Sequence, residues 1–419
     1  MKIWYRLLFL PILILALAGC GKDDDDIVVN NEDNETPYVP YHSLDMTTDD
    51  GKVTQLLKHK VGKGIPIVIL GDGFVDMDIK VGNFRDATTS TIDAIFSVHP
   101  FKSLRDYFDV YEVTAVSYNY TNLMDMTADS INYKTAFSTY GLKEIGSNAY
   151  TSEINKGDQT KMLKYAKKAI GEDRIDDATI IMLINDWSSG GVTYYSTYIF
   201  TYGYIMDVPT GCGISYVPLE DIMKFNDDTP LKDIVTSNYD DISKTTFAST
   251  LLHEFGHGFA KLADEYINEE REWNDIESDK NNLILYQKSG YHRNVSLESD
   301  VTKTYWADFA ADSRYDFEKL GCYEGGEYQA TGVYRPTENS IMRCTTNYFN
   351  VISRVMIYKR CMNIAYGDSW KFDYEDFVKF DLEKAKAAYQ EDKERHPYGY
   401  SKSKRFGAPP RFVKMKASR

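Results

Sequence analysis

Residues 250–266, which read TLLHEFGHGFAKLADEY, constrain this chain more than any other stretch. Leu251, Leu252, Phe255 and Phe259 recur at helical spacing and supply a buried stripe, so the run reads as a helix. His253 and His257 stand four residues apart on it, with Glu254 between them, which is the pattern HExxH. At i and i+4 two imidazoles leave one helix face and can aim ring nitrogens at a single Zn²⁺ about 2.0–2.1 Å away, while the glutamate faces the water to be activated. With seven histidines in the chain, HExxH arises by chance roughly once in a hundred such sequences, so histidines that merely pack are the weaker account. A catalytic zinc takes three protein ligands and keeps one position open, so a third ligand must follow His257.

The flanking sequence predicts an α/β (α+β) fold. Residues 65–70 form an unbroken apolar run ended by Gly71-Asp72-Gly73, a buried strand entering a turn. Two further strands are expected over residues 108–116 and 178–184, with helices over 83–98 and 159–170. Residues 192–204, rich in Thr and Tyr, suit a strand bordering a cleft, whose free edge could pair with extended substrate. Residues 266–342 read as loop-rich, and 374–393 as a charged helix with Phe377, Phe380, Ala385 and Ala388 toward the core. From Pro397 the chain is basic and expected to be mobile. With 43% apolar residues and no linker after about residue 40, residues 41–419 are expected to form one catalytic domain.

The N-terminus carries address information. Lys2 and Arg6 precede an apolar run over residues 7–17 that is too short to span a bilayer comfortably, so residues 1–19 read as a signal peptide. It ends in Leu17-Ala18-Gly19-Cys20, which resembles the lipobox of bacterial lipoproteins and makes Cys20 the lipidated first residue of the mature chain. Residues 20–40 are an acidic tether, too polar to bury a core. Its Lys22 followed by Asp23 to Asp26 resembles the surface-export signal of Bacteroidetes lipoproteins, so an outer-membrane or cell-surface location is expected. An excess of 63 acidic over 48 basic residues argues against a nucleic-acid partner. A monomer is expected. Cys212, Cys322, Cys344 and Cys361 lie in no CxxC pattern, so they are buried thiols or disulfides rather than a thiolate metal site.

The HEFGHGFAKLADEY run closely resembles the active-site signature of peptidase family M64, the IgA-peptidase-type metallopeptidases. The likeness extends to GIPIVILGDGF at 64–74, to Pro100-Phe101-Lys102 before Phe108-Asp109-Val110-Tyr111, and to Tyr323-Glu324-Gly325-Gly326 before Tyr334-Arg335-Pro336. It spans roughly residues 60 to 390. This resemblance implies a zinc endopeptidase of metzincin-like fold: a mixed twisted sheet with an active-site helix, then a loop-rich subdomain with a methionine turn and a C-terminal helix. The N-terminal accessory domain of some members is not expected, since few residues precede Ile65.

Asn339-Ser340-Ile341-Met342-Arg343 has the look of the methionine turn, with Met342 as the floor beneath the ligands. The usual HExxHxxGxxH pattern would put Gly at Ala260 and a His or Asp at Ala263, and this chain departs from it at both. Asp264 is the expected third ligand, Glu265 the alternative, and His292 and Glu324 remoter candidates. Glu254 is expected to be general base and then acid. Tyr348 and Arg335 are candidate oxyanion or substrate contacts by sequence proximity. The expected substrate is an extracellular host or dietary protein, with immunoglobulin or a mucin-like glycoprotein in view. A zinc hydrolase of cell-wall peptides, and a non-catalytic glycan- or protein-binding surface lipoprotein suggested by the 33 tyrosines, are the alternatives.

Overall fold

Residues 65–70 are apolar without alternation because the strand they form is covered on both faces. The computed structural model describes residues 42–119, 134–146, 149–186, 190–196, 207–219, 245–268, 276–399 and 411–413, all within one compact unit, Pro40–Arg419. In chain order come β1 (Val53–Leu57), β2 (Ile65–Asp72), α1 (Asp76–Val81), α2 (Asn83–Ile95), α3 (Phe101–Leu104), β3 (Phe108–Val113), β4 (Tyr140–Gly146), β5 (Ala149–Ile154) and α4 (Gln159–Ile170). There follow β6 (Thr179–Ile184), β7 (Val192–Ser196), β8 (Gly213–Pro218), α5 (Thr246–Ala260), α6 (Ile276–Lys288), α7 (Ala307–Ala311), β9 (Tyr323–Gly326), β10 (Gln329–Arg335), α8 (Val351–Tyr366), α9 (Tyr374–Arg395) and β11 (Arg411–Val413).

The main sheet is mixed, in the order β1-β3-β2-β6-β8-β7-β11. Strands β3, β2, β6 and β8 run parallel, and β1 and β7 are antiparallel to their neighbours β3 and β8. Because side chains alternate across a strand, Ile65, Ile67 and Ile69 of β2 join Ile181 and Leu183 of β6 in one core, which also holds Phe84, Phe255, Phe259 and Ile357 from α2, α5 and α8. Val68, Leu70, Ile180, Met182 and Ile184 face the opposite way, against Met162, Leu163 and Ala166 of α4.

Several expectations need correction. The strand expected to reach residue 116 ends at Val113. Within the stretch read as loop-rich, residues 266–342, lie α6, α7 and the β9–β10 hairpin, none of which was placed from sequence. The expected strand over 192–204 is β7 as far as Ser196, with residues 197–204 outside the described set. Its outer edge is not free: Tyr194, Tyr195 and Ser196 pair in parallel with Arg411, Phe412 and Val413. The tail expected to be mobile therefore returns a strand to the sheet, while residues 400–410 and 414–419 lie outside the described residues. The signal peptide, Cys20 and the tether also lie outside them. Cys212, Cys322, Cys344 and Cys361 are free thiols. Among the described residues no helix is long and apolar enough to cross a membrane.

Candidate metal centre

Helix α5 is capped by Thr245, whose hydroxyl accepts from the Ala248 amide at 3.0 Å, and every residue from Phe247 to Ala260 is buried. It lies on the sheet at glycine contacts: a methyl group on Gly213 of β8 would fall 2.4 Å from the Gly258 carbonyl oxygen. The helix ends at Lys261, whose φ of 55° is left-handed and whose amide bonds back to the His257 carbonyl. In the HExxHxxGxxH pattern the glycine stands at position 260. Here the left-handed residue comes one position later, and the carboxylate that returns to the histidines does too, at 264 rather than 263.

The helix geometry and this turn bring His253, His257 and Asp264 together, all buried. The two Nε2 atoms are 3.0 Å apart, and Asp264 Oδ1 lies 3.0 Å from that of His253 and 3.2 Å from that of His257. Both Nδ1 atoms face backbone carbonyls, Ile341 at 3.0 Å and Leu262 at 2.7 Å. A carbonyl only accepts, so each Nδ1 donates, and a neutral imidazole then presents a bare lone pair at Nε2. Two such lone pairs and a carboxylate oxygen thus converge, and neither Asp264 oxygen has a hydrogen-bond partner within the chain. A shared cation relieves that repulsion. A tetrahedral zinc with bonds of about 2.0–2.1 Å separates its ligands by about 3.3 Å, close to the spacing found, so the donor set fits a metal ion of that size.

The electrostatics agree. Burial opposes charge on His257, but the adjacent Asp264 carboxylate outweighs it and raises the imidazole to about 9. Without a metal, a proton on His257 takes the cation's place. Burial lowers His253. Burial also disfavours the Asp264 anion, yet the two imidazoles hold its carboxyl well below the usual range.

Glu254 is pinned from the sheet side. The Thr193 hydroxyl of β7 donates to Glu254 Oε2 at 2.7 Å, and Ser215 of β8 donates to the Glu254 carbonyl at 2.8 Å. Gly191 leaves room for the side chain, since a methyl there would fall 2.5 Å from Glu254 Cγ. Burial lifts the carboxyl to about 8. A divalent cation beside it favours the ionised form, as a base requires.

Beneath the histidines runs the Ser340–Met342 segment. Ile341 orients His253, the Met342 carbonyl accepts the Glu265 amide at 2.8 Å, and a methyl on Gly256 would fall 2.9 Å from Met342 Sδ. The thioether therefore packs against the helix turn between the two histidines.

The other candidates lie elsewhere. Glu265 is turned away from the three ligands: its carboxylate accepts from Ser340 Oγ at 2.5 Å, Asn294 Nδ2 at 2.9 Å and Asn350 Nδ2 at 2.9 Å. It joins the turn, the Met342 segment and the cap of α8. His292 is buried with Nδ1 3.2 Å from Glu327, and Glu324 accepts the Gly332 amide at 3.1 Å within its own hairpin. Tyr348 accepts from Arg354 at 2.7 Å inside a buried ion cluster, and Arg335 donates to the carbonyls of Glu324 and Gly325. These bonds engage the Tyr348 hydroxyl and Nη1 of Arg335 within the surrounding packing. Thr193 and Gly191 were not legible as site residues, although the Gly190-Gly191 pair before a strand marks a close backbone approach. Tyr266 and Tyr328, whose hydroxyls bond each other beside Asp264, were also unread.

No curated protein matches the chain. The model of the family described as IgA Peptidase M64 matches residues 309–360, from α7 through the β9–β10 hairpin and Met342 into α8. That segment supplies the floor of the site but not its ligands. The family it matches is the one that residues 253–266 resemble, and the match covers residues 309–360 of the chain.

Proposed function

We propose that the chain is a zinc-dependent endopeptidase of metzincin-like architecture that hydrolyses peptide bonds of extracellular proteins. The convergence of His253 Nε2, His257 Nε2 and Asp264 Oδ1 within 3.2 Å, next to a glutamate held from the other side, carries this reading. A methionine packed beneath the pair and a mixed sheet beneath the ligand-bearing helix support the metzincin likeness.

A zinc ion there supplies Lewis acidity and brings a water's pKa toward neutrality. The rest falls to the chain. With Thr193 occupying Glu254 Oε2, Oε1 is the oxygen that takes the proton of the attacking water and returns it to the leaving amine, a role worth roughly 10²–10⁴ in rate. The Nδ1 bonds to Ile341 and Leu262 fix both imidazole tautomers and ring planes. We further propose that lipid on Cys20 anchors the enzyme at the bacterial cell surface, where host or dietary proteins, immunoglobulin and mucin-type glycoproteins among them, are within reach.

Cleavage of casein and of immunoglobulin A by the unmodified chain and by Glu254→Gln tests the reading. Proteolysis by the former, abolished by a chelator and lost in the latter, is expected. Activity confined to peptidoglycan fragments would replace protein with cell-wall peptide as the substrate.

A further inference from the structure

The strand that borders the metal centre has its outer edge taken by the chain's own tail. Thr193 of β7 donates to Glu254 Oε2 at 2.7 Å, and the Tyr195 hydroxyl, two residues on and on the same face of the strand, donates to the Leu262 carbonyl at 3.4 Å. That carbonyl also accepts from His257 Nδ1 at 2.7 Å. β7 therefore runs along the ligand set, from the glutamate to the turn that orients His257. Its inner edge pairs antiparallel with β8, and its outer edge pairs in parallel with Arg411–Val413, the last strand in the sheet order.

The register places the tail close to the chemistry. Arg411 pairs with Tyr194, one residue past Thr193, so its backbone lies about 5 Å across and about 3 Å along from the residue that pins Glu254. An extended peptide brought to the metal centre from this side needs the same backbone groups of β7, because main-chain hydrogen bonds are what a strand edge offers a polypeptide. The tail is also weakly held. Its strand is 3 residues long, and parallel pairing is slightly less stable per residue than antiparallel. Pro409 and Pro410 have no amide hydrogen with which to lengthen the ladder toward Thr193. A long connection, residues 396–410, joins the strand to α9, so loop closure opposes the pairing. A short edge strand with these properties opens at little cost.

We propose that residues 411–413 are a built-in competitor for the strand edge beside the metal centre: they fill the place of an extended polypeptide substrate, which must displace them to reach the site. The inference rests on the endopeptidase reading and adds regulation of its substrate edge. Apparent affinity falls by the fraction of molecules whose edge is open, so a tail seated about nine-tenths of the time raises KM about tenfold and leaves kcat alone.

The full chain is compared with a full-length variant that carries both Phe412→Pro and Val413→Pro. Successive amides point to opposite sides of a strand, so one of two neighbours faces β7, and proline at both positions removes it. Neither residue belongs to the proposed catalytic machinery. Steady-state cleavage of casein is read as KM and kcat, with zinc content and melting alongside. The expected result is a KM lowered about tenfold in the variant, with kcat and zinc content unchanged. An unchanged KM overturns the proposal and leaves the tail as a cover for the sheet edge. A raised KM overturns it as well, since β11 would then be the strand on which substrate docks. A fall in melting temperature accompanied by loss of zinc and of kcat assigns the tail to folding and overturns it too. Cleavage of casein by neither protein overturns this inference and the endopeptidase reading together, whereas cleavage with equal KM overturns this inference alone.

Discussion

Adding one methyl group to Gly213 should damage the metal centre without touching a ligand. Gly213 lies on β8 against α5, and its added Cβ would fall 2.4 Å from the Gly258 carbonyl oxygen, 2.7 Å from the Gly258 Cα and 2.8 Å from its carbonyl carbon. These are backbone atoms of a fully buried helix and cannot swing aside. Ordinary contact begins at 3.4 Å, so helix and sheet must part by about 1 Å. Gly258 follows His257 directly, and the Thr193 bond to Glu254 crosses the same interface at 2.7 Å. Overpacking of this kind costs about 1–3 kcal/mol, a fall of a few degrees in Tm. A displacement near 1 Å of catalytic groups costs on the order of 10²-fold in kcat. Thermal unfolding and kcat/KM on casein would be compared with Gly321→Ala, whose methyl would meet only Tyr323, at 3.5 Å. A Gly213→Ala protein indistinguishable from that control in both measurements would refute the claim that the sheet sets the position of the helix.

Other perturbations separate ligand from scaffold. Asp264→Ala should abolish zinc binding while the fold persists, whereas Glu265→Ala, which strands donors from Ser340, Asn294 and Asn350, should lower unfolding free energy by several kcal/mol at about 1–3 kcal/mol per orphaned group, read by denaturant titration. Asp381→Ala should cost about 3–5 kcal/mol, because it removes the carboxylate that Arg354 Nε and Nη2 bind at 2.7 and 2.8 Å and leaves a buried cation short of its partner. His99, which contacts Asp381, is lowered from 6.5 by burial, with Arg354 and Lys384 adding to the effect. Its contribution to stability is therefore complete above pH 6.5 and lost as pH falls through the lower folded value, so Tm should drop between pH 7 and 5, and by less in His99→Gln. Cys20→Ala should abolish incorporation of labelled palmitate, and retained label would contradict lipidation at that residue.

What the sequence disclosed was set by how evenly each element is buried. β2 and β6, covered on both faces, read as unbroken apolar runs, and α4, with one buried side, kept its helical period, so Gln159–Ile170 was placed at its observed ends. Helix α8 went unread because it is buried from Val351 to Tyr358 and again from Arg360 to Met362, leaving no polar face to mark a period. β8 went unread since Gly213, Ser215 and Pro218 interrupt its apolar pattern, and the first of these is there for the helix above it. In the site, local spacing revealed His253, Glu254 and His257. Asp264 is named from sequence ahead of Glu265 because a third ligand has to follow, and the left-handed Lys261, which shifts the turn by one residue, is what brings it to the histidines. Thr193 reaches Glu254, and Tyr328 reaches Tyr266, through tertiary contacts that no local pattern encodes.

The most direct test of the account is metal content. The full chain, supplied with zinc and dialysed, would be compared by elemental analysis with His257→Ala, each checked for folding by circular dichroism. About one zinc per folded chain, lost in the variant, is the predicted result. A folded, zinc-supplied protein that carries no metal would contradict it.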